Sequence, residues 1–322
     1  MSMTATQVSD AGESHRRELT AFCYRFLGSY PEAEDAVQEV LVKAWRGAER
    51  FRGDSSLRTW LYRIATTTCL DMRKAPQRRA LPMDLAGPGE VPRDPSSLAT
   101  APSHRWIGPI ADDAWWSQDP AEQVATRDSM RLAFLAALQS LPPRQRVVLL
   151  LREVLDWSAR DCAALLDTSV EAVQSALARA RRTMAANDPG ATAATTDQEA
   201  ALLDDYVAAF TAYDVDRLVA LLAADAEFSM PPYTLWLQGK ASIEDWWRGP
   251  GTVCRNSRTV VGGANGQPTV AVYHPVSPTR WEPFAVHVLS VDDGGRIAAI
   301  THFMGPDVFA QLGLPQTVDE EM

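Results

Sequence analysis

The sequence predicts a multidomain chain: two all-α helical domains, the second holding a helix-turn-helix, followed by a C-terminal α+β domain. Three observations carry this reading. Apolar residues recur at helical spacing over residues 14–80 and again over 120–186. Between them lies a stretch without periodicity, rich in Pro, Gly, Ser and Ala. From Gln198 onward, two helical segments give way to short β-like runs separated by Gly, Pro, Asn and Asp. At 322 residues the chain is long enough for two or three compact units.

The first domain is expected over 10–80. A helix from about Glu13 to Leu27 sets Ala21, Tyr24 and Leu27 on one face, and Gly28-Ser29-Tyr30-Pro31 breaks it. The next helix opens on Glu32, Glu34 and Asp35, acids that suit the positive end of a helix dipole. Ala33, Val37, Val40, Leu41 and Ala44 then form its apolar stripe. Ser55 or Ser56 can cap a third helix through about Arg73, with Leu57, Trp60, Leu61, Ile64 and Leu70 inward. Residues 81–120 are expected to be a flexible acidic linker, in which Arg105-Trp106-Ile107-Gly108-Pro109-Ile110 is too apolar for a plain spacer and is expected to dock somewhere specific.

The second domain is expected over 121–186. Leu141-Pro142-Pro143 punctuates it, and Val147–Val154, Ser158–Leu166 and Val170–Met184 read as helices. In the last pair, Ser158 caps a short helix with Cys162, Ala163, Leu165 and Leu166 on its apolar face. Asp167-Thr168-Ser169 turns the chain, and Val173, Leu177 and Ala180 pack the second helix while Arg179, Arg181 and Arg182 gather near its end. Such a helix-turn-helix lays its second helix in the major groove. A second linker, 187–197, leads to the third domain at 198–315. There Ala200–Tyr213 and Val215–Leu222 read as helices. Ala226–Met230, Thr234–Gln238, Arg258–Gly262, Thr269–Tyr273, Phe284–Val291 and Ile297–Phe303 read as strands.

The formal charge of −10 does not exclude nucleic acid, because it is unevenly spread. The two helical segments are each mildly basic, whereas the connector and the third domain are acidic. No apolar run is long enough for a membrane span and no basic-then-apolar signal opens the chain, so a cytoplasmic protein is expected. The four cysteines stand apart, with no CxxC pair, which favours free thiols over a metal or disulfide framework. No cofactor is expected.

Two pairs of segments resemble the extracytoplasmic-function sigma factors of RNA polymerase. Glu32–Arg46 (EAEDAVQEVLVKAWR) and Phe51–Asp71 (FRGDSSLRTWLYRIATTTCLD) look like the second conserved domain of that family. Leu141–Glu153 (LPPRQRVVLLLRE) and Ala176–Arg182 (ALARARR) look like the fourth. The resemblance implies a chain that binds core RNA polymerase and promoter DNA and is not itself an enzyme. It implies core polymerase binding by Asp35, Gln38, Glu39 and Val42, with Trp45 anchoring their helix to the core. It places Arg63, Thr67, Asp71, Arg73, Lys74, Arg78 and Arg79 at the −10 element. At the −35 element it places Thr168, Glu171, Gln174, Ser175, Arg179 and Arg182. Members of the family often carry Lys where Gln174 stands, Arg where Ala176 stands and Asn where Thr67 stands. Poor autonomous DNA binding is therefore expected. The linker of a sigma factor threads the polymerase interior, which an acidic strand suits.

The third domain, with Met230-Pro231-Pro232, Trp236, Gly239, Trp246 and His302-Phe303, resembles the SnoaL-like cone-shaped α+β barrels. That resemblance implies an apolar pocket, with Tyr206, Trp236, Trp246, His287 and His302 as its candidate residues, and Asp225 and His274 as further candidates for acid–base work. No nucleophile–base pair or metal-ligand spacing is present in the sequence, so no catalytic residue is assigned. A regulatory role is expected for this domain, and a small-molecule ligand and an anti-sigma protein are further candidate partners. Two alternatives stay open: a bifunctional protein whose third domain is an active isomerase or cyclase, which a buried Asp–His pair would favour, and a ligand-responsive DNA-binding repressor, which would not need the helix at 32–46.

Overall fold

A computed structural model describes residues 12–51, 53, 55–72, 79–115, 126–186 and 196–319. The chain forms two compact units: Met1–Arg79 with Asp113–Pro189, and Ala80–Asp112 with Gly190–Met322.

The first unit is helical. Helix α1 (Arg16–Leu27) ends on Gly28, whose φ of 71° closes the helix in the left-handed region open to glycine. The Ser29 side chain then accepts from the Glu32 amide and starts α2 (Tyr30–Gly47). Helix α3 (Leu57–Met72) buries Leu61, Tyr62, Ala65 and Cys69. Against these pack α4 (Leu132–Gln139) and α5 (Pro143–Leu149), the latter continued by a π-helical turn, Leu150–Val154. Helices α6 (Ala159–Leu165) and α7 (Val170–Ala186) complete the unit.

The helical segments expected as separate domains thus share one unit, and a polar clasp shows why. Gln139 Nε2 donates to the carbonyls of Arg25 and Phe26, the last turn of α1, each at 3.2 Å. Arg146, almost fully buried, donates to Phe26 O and to Gln139 Oε1 at 2.5 and 2.7 Å, and to Gln139 O and Leu141 O at 2.9 and 3.1 Å. The terminal carbonyls of α1 have no partner inside their own helix, and a guanidinium from the later segment supplies one.

The second unit is built on a mixed seven-stranded sheet. Helices α8 (Thr196–Thr211) and α9 (Val215–Leu221) precede β1 (Leu222–Ser229) and β2 (Trp236–Gln238). Helix α10 (Lys240–Arg248) leads to β3 (Arg258–Ala264), β4 (Gln267–Ser277), β5 (Arg280–Val291) and β6 (Ile297–Met304). Helix α11 (Pro306–Gln311) and the short β7 (Val318–Asp319) close it. The order is β2-β1-β6-β5-β4-β3, with β7 on β5; β1 and β6 run parallel and the other pairs antiparallel. Its core gathers Tyr206, Phe210 and Leu218 from the helices with Phe228, Val272, Leu289 and Ile300 from the strands.

The connector departs from the expectation of a flexible spacer over 81–120. Residues 80–112 lie in the second unit as a strap of extended chain and short 3-10 turns. Gly89 N donates to Trp236 O at 2.9 Å, Ala101 N to Pro232 O at 2.9 Å, and Thr234 N to Ala99 O at 2.9 Å. The apolar cluster within it does dock: Trp106, Ile107 and Ile110 are buried, and the main chain of Ile110 is bridged twice by Asn265, at 3.0 and 3.1 Å. Main-chain pairing and three buried side chains make the strap part of the unit.

Candidate functional site

Helix α2 is divided cleanly into two faces. Ala33, Ala36, Val37, Val40 and Ala44 are buried, while Asp35, Gln38, Glu39 and Val42 are exposed. Trp45 does not anchor the helix to the core: it is 57% exposed, beside Val42 at 41%. The reason is angular. At 100° per residue Trp45 falls about 20° from Gln38 and 100° from the buried Ala44. A large exposed indole on an otherwise acidic face, where Glu39 also holds Lys43 at 3.4 Å, suits a partner surface that is basic and apolar together. The sequence reading places Trp45 against the core, although its spacing from Gln38 and Val42 puts it on the outer face.

On α3, Arg63, Thr67 and Asp71 are all exposed. The Thr67 hydroxyl is engaged with the carbonyls of Arg63 and Ile64, at 3.1 and 2.9 Å. Arg73, Lys74 and Arg78 lie outside the described residues. Arg79 is a correction to the −10 set, because its guanidinium is buried and paired with Glu32. A cation whose charge is met inside the unit has little left for a phosphate. Trp60, expected inward, is half-buried and packs on Phe51 with ring centroids 5.1 Å apart.

The helix-turn-helix is assembled as its residues suggest. Ser158 accepts from the Asp161 amide at 3.1 Å to start α6. Asp167 turns the chain with φ of 49°, and Ser169 accepts from the Ala172 amide at 3.1 Å to start α7. Val173, Leu177 and Ala180 point inward. Thr168, Glu171, Gln174, Ser175, Arg179 and Arg182 are exposed together, as a groove-reading face must be. Arg179 is steadied by the Ser175 hydroxyl at 2.7 Å, and Arg181 is tied to Glu153 at 2.6 Å.

The second unit contains a cavity of about 170 Å³. Phe210, Phe228, Trp246 and Trp247 form much of its wall, and the strap contributes Pro95 and Leu98. His287 and His302, paired across β5 and β6, line it as well, 2% and 5% exposed, with ring centroids 4.1 Å apart. Burial is the first cause that pulls both imidazoles toward the neutral form. His302 drops to about 4, while His287 lies well below its ordinary value, helped by the neighbouring His302. Tyr206 stands behind the cavity wall, with its hydroxyl 2.9 Å from His287 Nδ1. Trp236 is displaced from the expected pocket: its indole N–H donates to Ala86 O of the strap at 2.8 Å. Asp225 is exposed, and His274 stacks on Phe284 with centroids 3.5 Å apart, outside the lining. Among the described residues the cavity lining contains histidines and no carboxylate, so among them the Asp–His pair that would mark an isomerase or cyclase is not assembled there.

Among the described residues no helix is long and apolar enough to cross a membrane, and no cluster of metal-ligating side chains occurs.

Comparison with known proteins accounts for all three segments. Residues 13–79 match Sigma-70 region 2, residues 131–184 match Sigma-70 region 4, and residues 203–300 match a SnoaL-like domain. The crystal structure of the Mycobacterium tuberculosis extracytoplasmic function sigma factor SigJ superposes with a TM-score of 0.64 at 22% identity. It covers 95% of this chain and 99% of that one, which shows a shared fold. The RNA polymerase sigma-H factor of Pseudomonas aeruginosa is 31% identical over 52% of this chain and 78% of its own length. The ECF RNA polymerase sigma factor SigG of Mycobacterium tuberculosis is 43% identical over 95% of this chain and 83% of its own length. With both sigma regions in order and a relative this similar along almost its whole length, the chain belongs to the ECF RNA polymerase sigma factors, which direct transcription initiation, and carries a SnoaL-like domain at its C-terminal end.

Proposed function

We propose that the chain works through three parts: a core-polymerase and −10 domain over 10–80, a −35 domain over 121–186, and a SnoaL-like domain over 198–315 that modulates the other two. The observation that carries the polymerase contact is the split surface of α2, where Asp35, Gln38, Glu39, Val42 and Trp45 face outward opposite an apolar buried side. Arg63, Thr67 and Asp71 of α3, with Arg73, Lys74 and Arg78, meet the −10 element. The exposed face of α7 reads the −35 element, where Arg179 can donate twice to a guanine edge and Gln174 can donate to and accept from an adenine edge. Acting on polymerase and DNA, the protein works in the cytoplasm. It performs no covalent step, since promoter melting is driven by binding energy.

The test uses purified core polymerase in pull-down and promoter-melting assays. Full-length protein retains core, whereas Trp45→Ala weakens retention about tenfold or more, as removal of an exposed interface aromatic does. Equal retention by Trp45→Ala and by Asp35→Ala would remove α2 as the docking face. A chain ending near Asn187, tested beside the full length, reports whether the third domain restrains or assists initiation.

A further inference from the structure

The cavity of the second unit has a polar end whose hydrogen-bonding pattern can be worked out. His302 Nδ1 lies 3.0 Å from the carbonyl oxygen of Ser229. A carbonyl only accepts, so Nδ1 carries the proton, and the neutral ring leaves Nε2 with a lone pair. Tyr206 is completely buried, and among the described residues the acceptor for its hydroxyl hydrogen is His287 Nδ1. That arrangement puts the His287 proton on Nε2. Among the described residues neither Nε2 makes a hydrogen bond within the protein, and neither is wholly sealed from solvent. At these two histidines, whose rings lie 4.1 Å apart, the cavity therefore offers one donor and one acceptor in a mostly apolar wall rich in aromatic rings.

We propose that this cavity binds a small neutral alcohol or phenol, whose hydroxyl accepts from His287 Nε2 and donates to His302 Nε2. A hydroxyl is the smallest group that does both at once. Size agrees: an engineered apolar cavity of about 150 Å³ accepts benzene, so about 170 Å³ holds one ring with a small substituent. Charge agrees as well. Among the described residues no Lys, Arg, Asp or Glu lines the cavity, and burial favours the neutral form of both histidines, so an ionised ligand would find no countercharge among them. The cavity is not closed off, since Val253, one of its lining residues, is 62% exposed. The proposal concerns the second unit alone and stands whether or not α2 is the polymerase contact.

The experiment is a titration of the full-length protein at pH 7.5 with four compounds of one shape, followed by calorimetry and ligand-observed NMR. These are p-cresol, which donates and accepts; 4-methylanisole, which only accepts; toluene, which does neither; and 4-methylbenzoate, which is charged. Binding is expected in the order p-cresol, 4-methylanisole, toluene, with about tenfold separating first from last and no binding of 4-methylbenzoate. His302→Leu is expected to bring p-cresol down to the affinity of 4-methylanisole, since His287 Nε2 still donates to the ligand oxygen, while leaving toluene unchanged. Should that variant fail to fold, the ranking on the unaltered protein decides alone. Toluene binding as tightly as p-cresol, preferential binding of 4-methylbenzoate, or no binding of any of the four overturns the proposal.

Discussion

Both units join stretches that lie far apart in the chain, but they do so by opposite means. The first concentrates its junction on one side chain, Arg146, whose guanidinium serves carbonyls on α1 and around Gln139. The second spreads its junction along the strap, through main-chain hydrogen bonds from Gly89 to Ala101 and the buried Trp106, Ile107 and Ile110. A concentrated polar clasp is specific and can be undone at one point. A distributed seam yields piece by piece, because no single bond in it carries much of the total.

The sharpest way to break this contrast is Arg146→Met. It keeps the apolar stem but leaves buried carbonyls without donors, and about 3 kcal/mol of stability should go from the helical unit. Hydrogen exchange resolved by peptide should show α1 and α5 opening while β4–β6 stay protected. Next comes Ile107→Ala in the strap, where loss of a fully buried side chain should cost about 2–3 kcal/mol and raise exchange over 80–112 but not over α1.

The third test is pH. His302 has its pKa lowered from 6.5 to about 4, and His287 is shifted in the same direction. The unfolded chain therefore takes up protons below pH 6.5 that the folded unit refuses. Stability is fully present above that value and falls as the pH drops toward 4, by about 1 kcal/mol for His302 at pH 5.5, with His287 acting in the same direction. Thermal melts of the second unit should show this slope, and His302→Leu should flatten it. The smallest effect is expected from Trp236→Phe, which removes the indole bond to Ala86 and should loosen residues 86–101 by about 1 kcal/mol, seen as faster exchange there.

These elements also show what a sequence makes legible. Helices α2, α6 and α7 could be read because a 3.6-residue stripe agrees with a second signal in each: the first-turn acids of α2, the capping Ser158 of α6 and the Asp167-Thr168-Ser169 turn before α7. The caps Ser29 and Ser169 emerge only in the structure. The strands of the third domain could be read from β-rich runs between Gly, Pro and Asn turns, with ends extending a few residues further in β4 and β5. The strap could not, because main-chain pairing leaves no residue pattern; only the cluster at Trp106–Ile110 betrayed it. Of the pocket candidates, Trp246, His287 and His302 line the cavity, whereas Tyr206 acts from behind it and Trp236 holds the strap. Alternation along a strand tells which face a residue takes. It does not tell whether that face meets a void or another side chain.

The strap belongs to the same peptide that joins the two Sigma-70 regions. A polymerase that took up residues 80–112 would compete with the sheet for them. The two occupancies are then linked reciprocally. Whatever factor the sheet's hold on residues 80–112 subtracts from polymerase affinity, polymerase must subtract from the sheet's hold, and anything that tightens one grip loosens the other by the same factor.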